Sequence, residues 1–179
     1  MANRRKKRRA ARARRFHRFL MSLLMTALIA CALLRVFVFE MYYVTTSAMD
    51  PVYRKGDLVV TFKHDVDMNQ VQRGDILLSL FGGNGEKYIR RVSGVAGDLI
   101  DVRENGKFLV YADAEGVMRE KALGDAPALV HGEIPDGAYL MLSDNLSENA
   151  PDGRTFGLIY ETDISARPGK ILWPLSRRG

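Results

Sequence analysis

The sequence predicts a mainly β domain behind a single N-terminal transmembrane helix. Three observations carry that prediction. Residues Phe19 to Phe39 form an apolar run broken only by Arg35. Beyond residue 40, short runs of aromatic and β-branched residues alternate with Gly, Asn and Asp turns. No long helical period appears there, which argues for many short strands rather than a helical bundle.

Residues 1–18 (MANRRKKRRAARARRFHR) read as a polybasic arm, disordered as an isolated segment. The run at 19–39 follows directly. At about 1.5 Å rise per residue, about 20 residues cross the hydrocarbon core. Lys/Arg excess stays on the cytoplasmic side, so the arm is expected inside and residues 40–179 outside the cell membrane. Anionic headgroups would also attract the arm. A cleavable signal peptide is the alternative. No small-x-small site with a polar start follows before the aromatic run Phe37 to Tyr43, which favours an uncleaved signal-anchor. Arg35 is expected to snorkel at the outer end.

Strands are then expected at Met41 to Thr46, Asp57 to Phe62, Asp75 to Leu80, Lys87 to Val95, Asp98 to Arg103, Lys107 to Tyr111, Tyr139 to Leu142 and Lys170 to Pro174. Gly56-Asp57, Gly74-Asp75 and Asn105-Gly106 supply turns. Residues 112–131 read as irregular and polar, and Asp144 to Gly157 as a loop.

The first eighteen residues hold ten of the 27 Lys and Arg and no acid, leaving 17 basic against 21 acidic side chains and a net charge of −4. The basic character belongs to the arm. That argues against a nucleic-acid partner, which wants a basic domain surface. The lone Cys31 allows no intrachain disulfide. His64, Asp65 and Asp67 share one polar loop without a second ligand group, so no metal is expected, and no cofactor either.

Four segments resemble, in order, the boxes of bacterial type I signal peptidases. Ser47-Ala48-Met49-Asp50-Pro51 with Gly56-Asp57 is similar to the nucleophile segment. Gly74-Asp75-Ile76 resembles the second box, and Tyr88 through Asp98 (YIRRVSGVAGD) the box of the general base. Ile134 through Asn145, then Asp152-Gly153-Arg154-Thr155-Phe156-Gly157, resembles the last. The membrane exit Leu34 to Glu40 matches as well, so the likeness covers about residues 19–175. It implies a β-rich extracytoplasmic fold that cuts signal peptides with a Ser/Lys dyad.

The chain departs from that pattern at the chemistry. The resemblance places the nucleophile at position 48 and the base at position 90, where this chain has Ala48 and Arg90. Alanine has no attacking oxygen. A desolvated lysine can lose its proton, but a guanidinium with a pKa above about 12 keeps its own. Thr46 falls where the resemblance implies an oxyanion-binding hydroxyl. On a strand it shares a face with Ala48. Ser47, Met49, Tyr88 and Ile89 are the expected substrate contacts. Asp144, Asn145, Asp152 and Arg154 are expected as structural support, with Asp152 and Arg154 as an ion pair. Ser143, Leu146 and Gly153 replace Gly, Arg and Ser of the pattern.

A relocated nucleophile is the competing possibility. Ser47 points to the other face of a strand from position 48, and Thr46 lacks a base. His64 and His131 fall outside the base position. An altered copy of an active enzyme remains a third reading. The expectation is a non-catalytic signal-peptidase-like membrane protein that binds extended exported polypeptides by strand addition. Pilins, in pilus assembly, are one class of client by analogy. The alternative is an active serine endopeptidase with a rearranged nucleophile.

Overall fold

The computed structural model describes residues 2–37, 39–63, 66–82, 85–145 and 150–177. It divides into two compact units, Met1–Phe39 and Glu40–Gly179.

The first unit is one helix, α1 (Ala2–Phe37). Its Arg15–Leu33 stretch, with mean hydropathy 1.8, is long and apolar enough to cross a membrane. The basic arm, expected to be disordered, is the start of this helix. Arg, Lys and Ala are good helix formers, and the apolar turns that follow supply a nucleus to propagate from. The Arg35 side chain lies outside the described residues.

The second unit is mainly β. A seven-stranded sheet has the order β1 (Phe39–Tyr43), β2 (Leu58–Phe62), β11 (Ile164–Trp173), β3 (Ile76–Phe81), β4 (Glu86–Gly94), β9 (Ala138–Leu142), β10 (Ile159–Tyr160). A four-stranded sheet has the order β7 (Met118–Gly124), β6 (Gly106–Ala112), β5 (Leu99–Arg103), β8 (Gly132–Glu133). The chain leaves the large sheet after β4, builds the small sheet, and returns as β9 beside the strand it left. β4 and β9 are antiparallel, with Arg91 opposite Leu142.

β9 is buried at every position. Its side chains alternate between two cores, as a period of two dictates. Ala138, Leu140 and Leu142 pack with Ile100 and Leu109 of the small sheet. Tyr139 and Met141 pack with Leu77, Phe81 and Val92. A third cluster joins Val44, Met49 and Tyr53 to Val59, Leu78, Ile89 and Ala166.

One turn recurs three times at strand entrances. In Arg54-Lys55-Gly56-Asp57, Gln72-Arg73-Gly74-Asp75 and Val95-Ala96-Gly97-Asp98 the Asp amide donates to the carbonyl three residues back, at 3.0, 3.1 and 3.1 Å. The Asp carboxylate accepts the amide of that same residue. The third residue has φ of +96°, +98° or +85°, which only glycine adopts cheaply. An arginine from elsewhere grips each carboxylate: Arg177 on Asp57, Arg167 on Asp75 and Arg73 on Asp98.

Three strand expectations and one loop expectation need correction. β1 ends at Tyr43, not Thr46, because Val44 donates to Asp57 O at 2.8 Å and the chain then turns. Within residues 112–131, β7 pairs with β6 as the outer strand of the small sheet. Its exposed Arg119 and Glu120, with the half-buried Lys121, give an edge strand a loop-like composition. β11 begins at Ile164 rather than Lys170. Pro168-Gly169 looks like a turn but sits within the strand, where the pairing with β2 shifts register. The 144–157 loop contains the single helical turn α2 (Gly153–Phe156).

Candidate functional site

Position 48 lies in a turn, not on a strand. Asp50 donates to Ser47 O at 3.1 Å and Tyr53 to Met49 O at 3.0 Å, so residues 47–53 coil tightly. The expectation that Thr46 and Ala48 share a strand face therefore fails. Thr46 and Ser47 are half-buried, and Ala48 is fully buried. Met49 and Ile89 belong to one core cluster, at 1% and 2% exposure. They shape the wall behind the turn rather than presenting a free surface.

Asn145 fixes this turn from across the fold. Its amide donates to Ala48 O at 2.8 Å, and its side-chain Nδ2 to Ser47 O at 3.3 Å. Arg90 is tied to the same segment at its other end. Its Nε and Nη2 donate to Pro151 O at 2.9 and 2.7 Å, and its Nη1 to Ile89 O at 2.6 Å. The guanidinium lies 5.0 Å from the Tyr88 ring centroid, within cation–π range. With only 1% of its surface exposed, Arg90 is the largest of the fully buried side chains. Ala48 is thus tied to Asn145, and Arg90 to Pro151.

Asp152 joins Ser143 to Arg154. It accepts from the Ser143 amide at 3.0 Å and caps α2 by accepting from the Arg154 amide at 2.9 Å. Arg154 Nη2 pairs with it at 2.8 Å. Burial alone would raise the Asp152 carboxyl. The hydrogen bonds from Arg154 and the two amides, with the Arg154 charge, outweigh it and hold the pKa below the ordinary carboxylate value. Asp144 takes a two-pronged bond from Arg91, at 2.7 and 2.6 Å. Arg91 also reaches Gly74 O at 2.7 Å, which ties the second box to the third. The sequence reading missed Arg91 as a partner of Asp144, although it lies in the third box. It had no means of finding Pro151, whose contribution is a backbone carbonyl.

The signal peptidase, peptidase S26 family model matches residues 17–173. The chain belongs to the signal peptidase, peptidase S26, family. A probable signal peptidase I-1 of Synechocystis sp. is 31% identical over 169 residues, covering 88% of this chain and 83% of the relative. A signal peptidase I of Bacillus licheniformis is 25% identical over 164 residues, covering 84% and 85%. A crystal structure of a signal peptidase I from Enterococcus faecalis has 19% identity and a TM-score of 0.37, covering 55% of this chain and 96% of that one.

Within this signal peptidase family member, the departures from the motif have local physical settings. Gly153 packs against β9: a Cβ there would sit 2.8 Å from both Leu140 Cδ1 and Met141 O. The Ser143 hydroxyl is buried with no hydrogen-bond partner among the described residues. Leu146, His64 and Asp65 lie outside the described residues. His131, on the surface, approaches Asp101 at 3.4 Å, far along the chain from position 90. Among the described residues no three His, Cys, Asp or Glu group as a metal site.

Proposed function

We propose that this signal-peptidase-like protein binds extended exported polypeptides beside the membrane without cutting them. The observation that carries the reading is Arg90. All three of its donor nitrogens face carbonyl oxygens of Pro151 and Ile89, so it holds backbone where a base would have to accept a proton. Ala48 supplies no oxygen to activate. In this reading positions 48 and 90, with the Thr46 hydroxyl, mark a former reaction centre, and Ser47 and Tyr88 flank the path of a bound chain. Residues 1–18 form a cytoplasmic arm, 19–39 a signal-anchor and 40–179 an extracytoplasmic domain. Pilins are one client class consistent with such a helper.

The relatives' names favour a second reading, an active signal peptidase with a rearranged nucleophile. Cleavage assays on the full chain in detergent micelles separate the two. With a signal-peptide substrate, the native chain is expected to leave it intact while still retaining it on a pull-down. Ala48→Ser with Arg90→Lys is expected to give partial cleavage. Cleavage by the native chain that is lost on changing Thr46 or Ser47 would establish the second reading.

A further inference from the structure

We propose that a pocket between the two sheets, lined by Arg73, Arg91, Ser93, Tyr111 and Lys121, binds a single carboxylate group. Its volume is about 130 Å³, enough for one carboxylate and a few waters at about 30 Å³ each. The inference needs neither cleavage nor a polypeptide client and stands apart from the proposed function.

Both sheets build the pocket. Arg91 and Ser93 lie two apart on β4, and Val92 between them packs with Leu77 and Phe81 on the other face. Tyr111 comes from β6 and Lys121 from β7. Ser93 falls where the β4–β9 pairing shifts register, between Val92 and Gly94. Such irregularities re-aim a side chain.

The charges leave one cation over. Arg73 holds both oxygens of Asp98 at 2.7 Å, its guanidinium 3.9 Å from the Tyr111 ring centroid. Arg91 is matched by Asp144. Lys121 Nζ donates to the Ser93 hydroxyl at 3.3 Å, and among the described residues no carboxylate forms an ion pair with it. The lining thus carries three positive groups against two negative partners. Burial pushes the Lys121 ammonium below its ordinary pKa. Asp144 and Asp152 act to raise it, while Arg154 and Arg91 lower it further. A bound anion would relieve that cost.

The donor set suits a carboxylate. A guanidinium has five N–H donors, and Arg91 uses three on Asp144 and Gly74 O. The Lys121 ammonium adds donors from the opposite wall, and the Ser93 hydroxyl adds one from β4 beside Arg91. One surplus positive charge matches a monoanion. A phosphate dianion would leave a negative charge over in a half-buried site.

The test is a titration of the full chain in detergent micelles, followed by amide and lysine side-chain NMR. Sodium acetate replaces sodium chloride at constant ionic strength. Saturable shifts are expected at Gly74, Ser93 and Lys121. Lys121→Gln should weaken acetate binding at least about tenfold, the loss of one charge-assisted contact. Lys121→Arg should hold it within a few-fold and shows that substitution at 121 is tolerated. The source of the group is read from N-acetyl-Ala-Glu-Ala-amide: tighter binding than acetate assigns it to a polypeptide side chain, equal binding to a free acid. No saturable acetate shift, unchanged affinity in Lys121→Gln, or tighter binding of inorganic phosphate than of acetate would overturn the proposal.

Discussion

Arg90 changes what its position does. A lysine there would present one compact charge, whereas the guanidinium reaches two carbonyls in a fixed plane. Replacing it by lysine leaves at least one buried acceptor unmatched, at a cost of about 1–3 kcal/mol. The double variant Ala48→Ser/Arg90→Lys should therefore be less stable than the native chain even where it cuts. Asp152 is a second residue whose chemistry is fixed by its surroundings. Its folded pKa lies below the unfolded value of about 3.9. Its contribution is therefore present above that pH and lost as pH falls through the folded pKa. Thermal melts from pH 6 down to pH 2 should show the native chain losing more stability than Asp152→Asn, whose amide has no proton to take up. Parallel melting curves would show that Asp152 is not a source of the acid sensitivity.

Among the elements, α2 shows how close packing limits any return to the family motif. Gly153 begins this single turn against β9, where a Cβ would press on Leu140 and on the Met141 carbonyl. Gly153→Ser, although it matches the motif, should destabilise the protein by about 1–3 kcal/mol through overpacking. A melting temperature at or above the native value would refute this. The strands themselves were legible wherever hydrophobic period and turn chemistry agreed. β2, β3, β5 and β6 fall within about two residues of expectation because each follows a Gly-Asp or Asn-Gly turn. β7 escaped because an edge strand of charged residues has no apolar alternation to read. β11 escaped because Pro168-Gly169 has the chemistry of a turn and only the neighbouring strands hold it extended. Of the site, the pairing of Asp152 with Arg154, at 2.8 Å, was implied by the resemblance of the last box rather than by any local signal. The joining of Ala48 to Asn145, 97 positions apart, depends on the whole sheet order and has no local signal.

For the molecule as a whole, the contrast between α1 and the β unit sets the topology to be tested. One apolar helix preceded by ten basic residues predicts an inside amino terminus. With Cys31 changed to alanine and a cysteine placed at Glu104, on the exposed β5–β6 turn, a membrane-impermeant maleimide should label intact spheroplasts. A cysteine placed at Ala2 should label only after lysis. The reverse pattern would invert the orientation.

The excursion that builds the small sheet has a bearing on how such a chain can diverge. It starts from β4 and ends in β9, strands that pair directly with each other. Length and sequence between Leu99 and Glu133 can therefore drift without disturbing the register that seats the turn at Ala48, provided the apolar underside covering Leu140 and Leu142 is retained. Tyr111 and Lys121 ride on that variable portion, while Arg91 and Asp144 belong to the fixed one. Selection can rewrite what the cleft recognises by editing one half of its wall, leaving the inherited scaffold as a constant.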